Sequence, residues 1–436
     1  MSARSRPARS GATAGPVIEL TIGALGSRGD GIAHHAGQPV FVPFALPGER
    51  VRVRLAGRRG DGLAAEPLAW IDRSDRAPDR CQHFTRCGGC VLQHLPDPAY
   101  QDWVRVQVVD ALSRRGLPTS LVEPAQAMPP RARRRARLSY VRRCGKVELG
   151  FRARAAHAVV DLAGCAVLLP EIVALLQALR ELLAGLRMAG GAGEVTMTAT
   201  LSGLDVLLVA AAEPGLDDRE ALAAFAVAED LARIAWARGP GVSPEPIVQR
   251  RFPRVDFDGV DVVPPPGAFL QSSVPAEASI RAAVMEALGD AQAVADFFCG
   301  CGTLALPLAG AGRRVRAVDG DAAMLGALTD AARAAGLGAN VTAEMRDLER
   351  APLAATELAG LDGVILDPPR AGARAQSEML AASAVPRVAM VSCHPPSLAR
   401  DLRILVDGGY RLLRVRPIDA FTWSGRVEAV ATLARP

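Results

Sequence analysis

"VADFFCGCGTLALPLA", residues 294–309, decides how this chain is read. It begins with a short apolar run, turns on two glycines and continues as an alanine- and leucine-rich segment of helical character. Strand, glycine turn and helix in that order form the opening unit of an open α/β sheet. Ligands bind there beyond the carboxyl ends of the strands, and glycine lets them approach the backbone. Gly300 and Gly302 make only a G-x-G, and a full G-x-G-x-x-G and a phosphate-binding lysine are both missing, which argues against a dinucleotide or a phosphate-binding loop. Downstream, short apolar runs keep alternating with helical segments: "VRAVD", "VTAEM", "GVILD", "RVAMVS", "YRLLRVRPI" and "VEAVATL". This alternation predicts a doubly wound, mostly parallel α/β domain, assigned to residues 263–436.

Acidic residues recur where these runs end. Asp319 closes "VRAVD", at the distance where a carboxylate accepts hydrogen bonds from a ribose diol. Asp347 in "MRDLE" follows the third strand and Asp367 in "VILDPPR" the fourth. Each alone could cap the helix that follows. Together they suit a ligand with an adenosine and a cationic centre, which is S-adenosylmethionine (SAM). The next strand delivers Cys393 in "VSCHPPSLARDL", residues 391–402, to the same rim. A thiol at a strand exit, where loops carry function, reads as a nucleophile. A methyl acceptor that needs one is carbon 5 of uracil: thiolate addition at carbon 6 turns the ring into an enolate able to attack a sulfonium methyl. A base must then remove the proton from carbon 5, and Glu428 in "GRVEAVATL" is the candidate.

The rest of the chain is organised differently. Residues 15–75 read as short strands broken by glycine and proline, a small all-β barrel, with His34 and His35 expected exposed at a turn. Residues 76–262 are less regular. A helix is expected at 99–115, a leucine-rich helix at 170–187, strands near 194–212 and an amphipathic helix in "EPGLDDREALAAFAVAEDLARIAWA". "RARRRARLSYVRR", residues 131–143, holds seven arginines, a density expected of a nucleic-acid footprint.

At 436 residues and 50% hydrophobic content, the chain has material for several domains; its net charge is +5. No apolar run of membrane-spanning length appears, and the amino-terminal stretch lacks a signal-peptide core, so a cytoplasmic protein with a basic amino-terminal arm is expected. Eight cysteines in such a chain argue for metal or catalysis rather than disulfides. "CQHFTRCGGC", residues 81–90, spaces Cys81, Cys87 and Cys90 as C-x5-C-x2-C, with Cys165 as a distant fourth. Four thiolates suit zinc or an iron-sulfur cluster, and spacing does not choose between them.

"VADFFCGCGT", "LDPPRAGA" and "VSCHPPSLARDL" resemble motifs of the RNA (uracil-5-)-methyltransferase family. "GDGIAHHAGQPVFVPFALPGERV", residues 29–51, resembles the OB-like TRAM domain of RNA-modifying enzymes, and with the cysteine cluster it points to the family's 23S rRNA branch. The resemblance extends over nearly the whole chain. It implies a class I SAM-dependent methyltransferase domain, an amino-terminal TRAM barrel and a central α+β domain carrying a four-cysteine cluster. By it, Gln271, Phe298, Thr303, Asp319, Asp347 and Asp367 line the cofactor site, Cys393 is the nucleophile and Glu428 the base. By it also, Cys81, Cys87, Cys90 and Cys165 hold a [4Fe-4S] cluster with a structural or RNA-positioning role. The expected partner is RNA, 23S rRNA by the resemblance, with no membrane and no obligate protein partner. The same chemistry on tRNA, and a catalytically drifted RNA-binding or ribosome-assembly factor, are the alternatives. The sequence departs from the family pattern at His394 and Thr303, where Asn is common, at Asp319 in place of Glu, and at Arg426 in place of a His.

Overall fold

Residues 15–436 are described in a computed structural model, and the basic amino-terminal arm lies almost wholly outside that range. The chain forms two compact units: residues up to Asp79 together with Val91–Ala99, and Arg80–Cys90 together with Tyr100–Pro436.

In the first unit, Val17–Thr21, Ala24–Leu25, Gly31–His35, Gln38–Val42, Arg50–Arg59 and Gly62–Asp72 join in one six-stranded sheet. Strict alternation shapes it. In "RVRVRL" Val51 and Val53 point into a core with Leu20, Ile22, Val40 and Val42, while Arg52 and Arg54 turn outward to Glu19 and Glu66. His34 and His35 close the strand Gly31–His35 just before the turn, and both are exposed.

The second unit holds two larger sheets. The central one runs, edge to edge, Glu245–Gln249, Arg233–Ala237, Gly203–Val209, Ala192–Thr200, Arg135–Arg143 and Lys146–Gly150. Helices Pro170–Gly185 and Leu216–Ala228 belong to this part of the chain, and Leu175, Leu176, Leu179 and Leu222 enter its core.

Here the arginine-rich stretch departs from a continuous cationic surface. Arg134 is buried and ion-paired with Glu277, and its Nε donates to the Gln271 carbonyl (3.1 Å). Arg137 pairs with Glu194, and Arg142 donates to the carbonyls of Ala184 and Leu186 at a helix end. A charge taken from water needs such partners, so alternation along the strand divides the run between structure and surface. Arg133 and Arg135 meet no carboxylate among the described residues; the Arg133 Nε donates to the Arg135 carbonyl (3.1 Å) and an Arg135 terminal nitrogen to the Gly267 carbonyl (3.1 Å).

The carboxyl-terminal sheet has seven strands: β1 (Ala293–Phe297), β2 (Arg314–Asp319), β3 (Val341–Met345), β4 (Gly363–Leu366), β5 (Arg387–Ser392), β6 (Arg411–Ile418) and β7 (Glu428–Ala434). Their order is β3-β2-β1-β4-β5-β7-β6. The first five are parallel; β7 inserts antiparallel between β5 and β6. The central strands are apolar runs with both faces covered, as a parallel sheet requires. Helix Val274–Leu288, which packs on this sheet, starts at Ser273, whose Oγ accepts from the Ala276 amide (3.3 Å). The topology fixes where function can sit: β1, β2, β4 and β5 all leave the sheet at one rim, and the reversed β7 enters at that rim.

Candidate active site

Every site residue expected from the catalytic domain lies along this rim or on the loops beside it. Phe298 follows β1 directly with φ +63°, a left-handed conformation uncommon for a residue with a side chain, and its amide donates to the Val318 carbonyl (2.9 Å). The turn then passes through Gly300 and Gly302. At Gly302 φ is +96°, and a Cβ would meet Leu306 at 2.8 Å, so glycine is required there. Thr303 is half-buried in the same turn.

Asp319 ends β2. One of its carboxylate oxygens accepts from the Gly300 amide (2.8 Å) and the other from the Asp321 amide (2.9 Å), which pins the carboxylate beneath the glycine turn. Each oxygen keeps a lone pair for a further donor. Asp347, two residues past β3, is exposed and caps its own turn, accepting from the amides of Glu349 (3.1 Å) and Arg350 (3.2 Å). Phe298, Leu348, Ala373 and Arg400 line a cavity of about 260 Å³ at this rim.

Asp367 follows β4 and accepts from the side-chain amide of Gln271 (3.0 Å). Burial pushes its carboxyl up to about 7, while the Gln271 hydrogen bond pulls it down. Ser392 is in register with Ala429, so Cys393 and Glu428, one step further on each strand, stand level with each other. Burial, and then the Glu428 and Asp367 charges, push the Cys393 thiol up to about 11; Arg426 opposes them. Glu428 is buried, and desolvation followed by Asp367 raises its carboxyl well above the ordinary range. The free site thus favours protons on both groups, and added positive charge there favours the thiolate.

Sequence reasoning passed over Asp296. This carboxylate lies in the middle of β1, 1% exposed, and neither oxygen has a well-formed hydrogen bond among the described residues. Burial and then the nearby Asp367 and Asp319 raise it well above the ordinary carboxylate range, against a lesser pull from the Ala305 amide. The signal was present: an acid inside the apolar run "VADFF" has no place in a core unless something polar faces it. His394, the departure beside the thiol, precedes helix Pro395–Asp407, with its Nδ1 3.1 Å from the Ser397 Oγ.

The four expected metal ligands share one neighbourhood. Burial raises the Cys87 and Cys165 thiols, and Cys81 is close enough to raise both further; Cys90 and Cys165 both act on the Arg133 guanidinium. None is in a disulfide. The Gly89 amide donates to the Cys87 sulfur (3.4 Å), the kind of contact that steadies a thiolate ligand. The donor chemistry fits a thiolate-bound metal. The spacing does not: among the described residues no three His, Cys, Asp or Glu side chains converge to hold a metal ion. These cysteines lie on irregular loops, where no strand register sets their separation.

Comparison with known proteins agrees with the architecture. Residues 11–56 match the TRAM domain. An uncharacterized RNA methyltransferase of Mesorhizobium japonicum is 44% identical over 418 residues, covering 96% of this chain and 98% of its own. The 23S rRNA (uracil(1939)-C(5))-methyltransferase RlmD of Aeromonas salmonicida is 33% identical over 424 residues, covering 95% of each. Among solved structures, the tRNA (uracil-54, C5)-methyltransferase of Pyrococcus abyssi, in complex with S-adenosyl-L-homocysteine, has the same fold: TM-score 0.75 at 22% identity, over 95% of this chain and 99% of that one. The fold is that of a class I methyltransferase preceded by an OB-like TRAM domain. The chain belongs to the RNA (uracil-5-)-methyltransferase family, and it is an RNA methyltransferase.

Proposed function

We propose that this enzyme transfers the methyl group of SAM to carbon 5 of a uridine in 23S rRNA through a temporary bond between Cys393 and carbon 6. One observation supports this above the others: β5 and the reversed β7 set a thiol and a buried carboxyl side by side, with Asp367 acting on both. The Cys393 thiolate adds to carbon 6, and the electron pair moves to carbon 5, which takes the sulfonium methyl as S-adenosylhomocysteine leaves. Glu428, as carboxylate, removes the proton from carbon 5; the ring double bond re-forms and the thiolate is expelled. Desolvation makes Glu428 a stronger base than an exposed carboxylate, so it suits proton removal from carbon.

On this reading Gln271, Phe298, Thr303, Asp319, Asp347 and Asp367 hold the methyl donor. The lone pairs left on Asp319 suit the ribose diol, and the cavity beside Phe298 suits the adenine. The donor's sulfonium charge would stabilise the thiolate that the empty site disfavours. Residues 15–75 and 76–262 serve RNA binding, 263–436 the chemistry, and the protein works in the cytoplasm. Cys81, Cys87, Cys90 and Cys165 draw together around a [4Fe-4S] cluster that takes no part in the transfer.

The choice of 23S rRNA follows the RlmD relative. Mapping 5-methyluridine in rRNA and tRNA from a deletion strain tests it. Loss of one 23S position is expected; loss in tRNA alone would move the substrate, and no loss in either would favour a drifted RNA-binding factor.

A further inference from the structure

The loop between β6 and β7, residues 419–427, ends at the catalytic corner, yet it is anchored far along the chain. Asp419 and Tyr100 are each 1% exposed. The Tyr100 hydroxyl donates to Asp419 Oδ1 (2.7 Å) and accepts from the Trp423 amide (2.6 Å), so one oxygen holds both the start and the middle of the loop. The Gln101 side-chain amide reaches Asp419 Oδ2 (3.4 Å), and the Asp419 amide donates to the Gln126 carbonyl (3.0 Å). Trp423 has φ +59°, a conformation a tryptophan keeps only when its surroundings impose it. Its ring is buried beneath the Arg80 guanidinium, 4.8 Å from the ring centre, and Arg80 immediately precedes Cys81. The Ser272 hydroxyl, next to Gln271, donates to the Ala420 carbonyl (2.5 Å).

A buried carboxyl facing a phenol rather than a cation is a costly arrangement that apolar side chains could replace at less expense in stability. What it provides is direction. The clamped loop leaves its anchor at Trp423 and, after three residues, presents Arg426 and then Glu428 at the first position of β7, level with Cys393. We propose that Tyr100 and Asp419 are positioning residues for methyl transfer: their buried hydroxyl–carboxyl pair clamps the loop 419–427 and so sets the placement of Arg426 and Glu428 against the thiol. This rests on the reading of Cys393 and Glu428 given above. The effect on chemistry is indirect, since neither residue reaches the rim, but a catalytic group displaced by about 1 Å can cost on the order of a hundredfold in rate.

The test joins kinetics to hydrogen exchange in the full-length enzyme. Tyr100→Phe removes both hydrogen bonds with almost no change of volume. It should speed amide exchange across 419–427, leave the melting temperature within a few degrees, and lower kcat by about tenfold or more on in vitro transcribed 23S rRNA, with KM for RNA and SAM changed less than about threefold. Asp419→Ala should do the same, whereas Asp419→Asn keeps an acceptor for the phenol and should retain kcat within about threefold. Wild-type exchange and kcat in both Tyr100→Phe and Asp419→Ala would overturn the proposal. So would a kcat loss matched by equal losses in melting temperature and substrate affinity, the mark of a merely structural role. Should the wild-type enzyme methylate no uridine, the function proposed above fails, while the exchange measurement still judges the clamp.

Discussion

The corner that gathers Cys393, Glu428 and Asp367 and the loops that carry Cys81, Cys87, Cys90 and Cys165 both crowd ionisable groups together, but they hold them by different means. At the corner, strand register does the placing: Ser392 opposite Ala429 leaves no freedom over which residues come next. The cysteines instead sit on turns between Arg80 and Cys90 and on the loop before helix Pro170–Gly185, where burial and then Cys165 and Cys81 disfavour ionisation of Cys87, but no three form a ligand set. A regular sheet assembles its site from the backbone alone, whereas a loop site has to be drawn together by what it binds.

Four substitutions sharpen that contrast, taken from the largest expected effect to the smallest. Cys393→Ala should abolish turnover, by a factor on the order of 10⁴ or more, without moving the melting temperature by more than a few degrees, as tritiated-methyl transfer and calorimetry would record. Glu428→Gln should slow turnover by about 10²- to 10⁴-fold and leave a methylated RNA–protein adduct visible on denaturing gels, because only the last step needs the base. An equal loss of adduct and turnover would place Glu428 earlier in the reaction. Cys87→Ser should show the opposite balance: bound iron is lost and the melting temperature falls by several degrees, while single-turnover methylation drops less than about tenfold in protein that remains folded. Arg426→Ala should have the mildest effect. Its charge favours the Cys393 thiolate against Glu428 and Asp367, so its removal raises the thiol further and moves the alkaline-rising limb of the rate profile to higher pH. Because Arg426 is exposed and screened by solvent, the loss at pH 7 should stay within about three- to tenfold.

The same distinction explains what was legible in the sequence. The seven strands of the catalytic sheet stand where alternating apolar runs place them, and Asp319, Asp367 and Cys393 fall at strand ends because a parallel sheet always brings such ends to one rim. "RARRRARLSYVRR" was legible only as charge. That Arg134 turns inward to Glu277, 143 residues on, depends on tertiary packing that no local pattern encodes. Asp296 hid inside an apolar run, and the Tyr100–Asp419 pair spans 319 residues, so neither leaves a periodic trace. The cysteine spacing named a donor set without its geometry, for the reason already seen in the loops.

Trapping the covalent intermediate tests the central claim most directly. With 5-fluorouridine-substituted 23S rRNA and SAM, carbon 5 bears fluorine where the base would remove a proton, so the final elimination cannot proceed. Mass spectrometry of the digested complex should then find methylated nucleotide attached to Cys393 and to no other cysteine. An enzyme that methylates natural RNA yet leaves Cys393 unmodified by the fluorinated substrate would contradict the account.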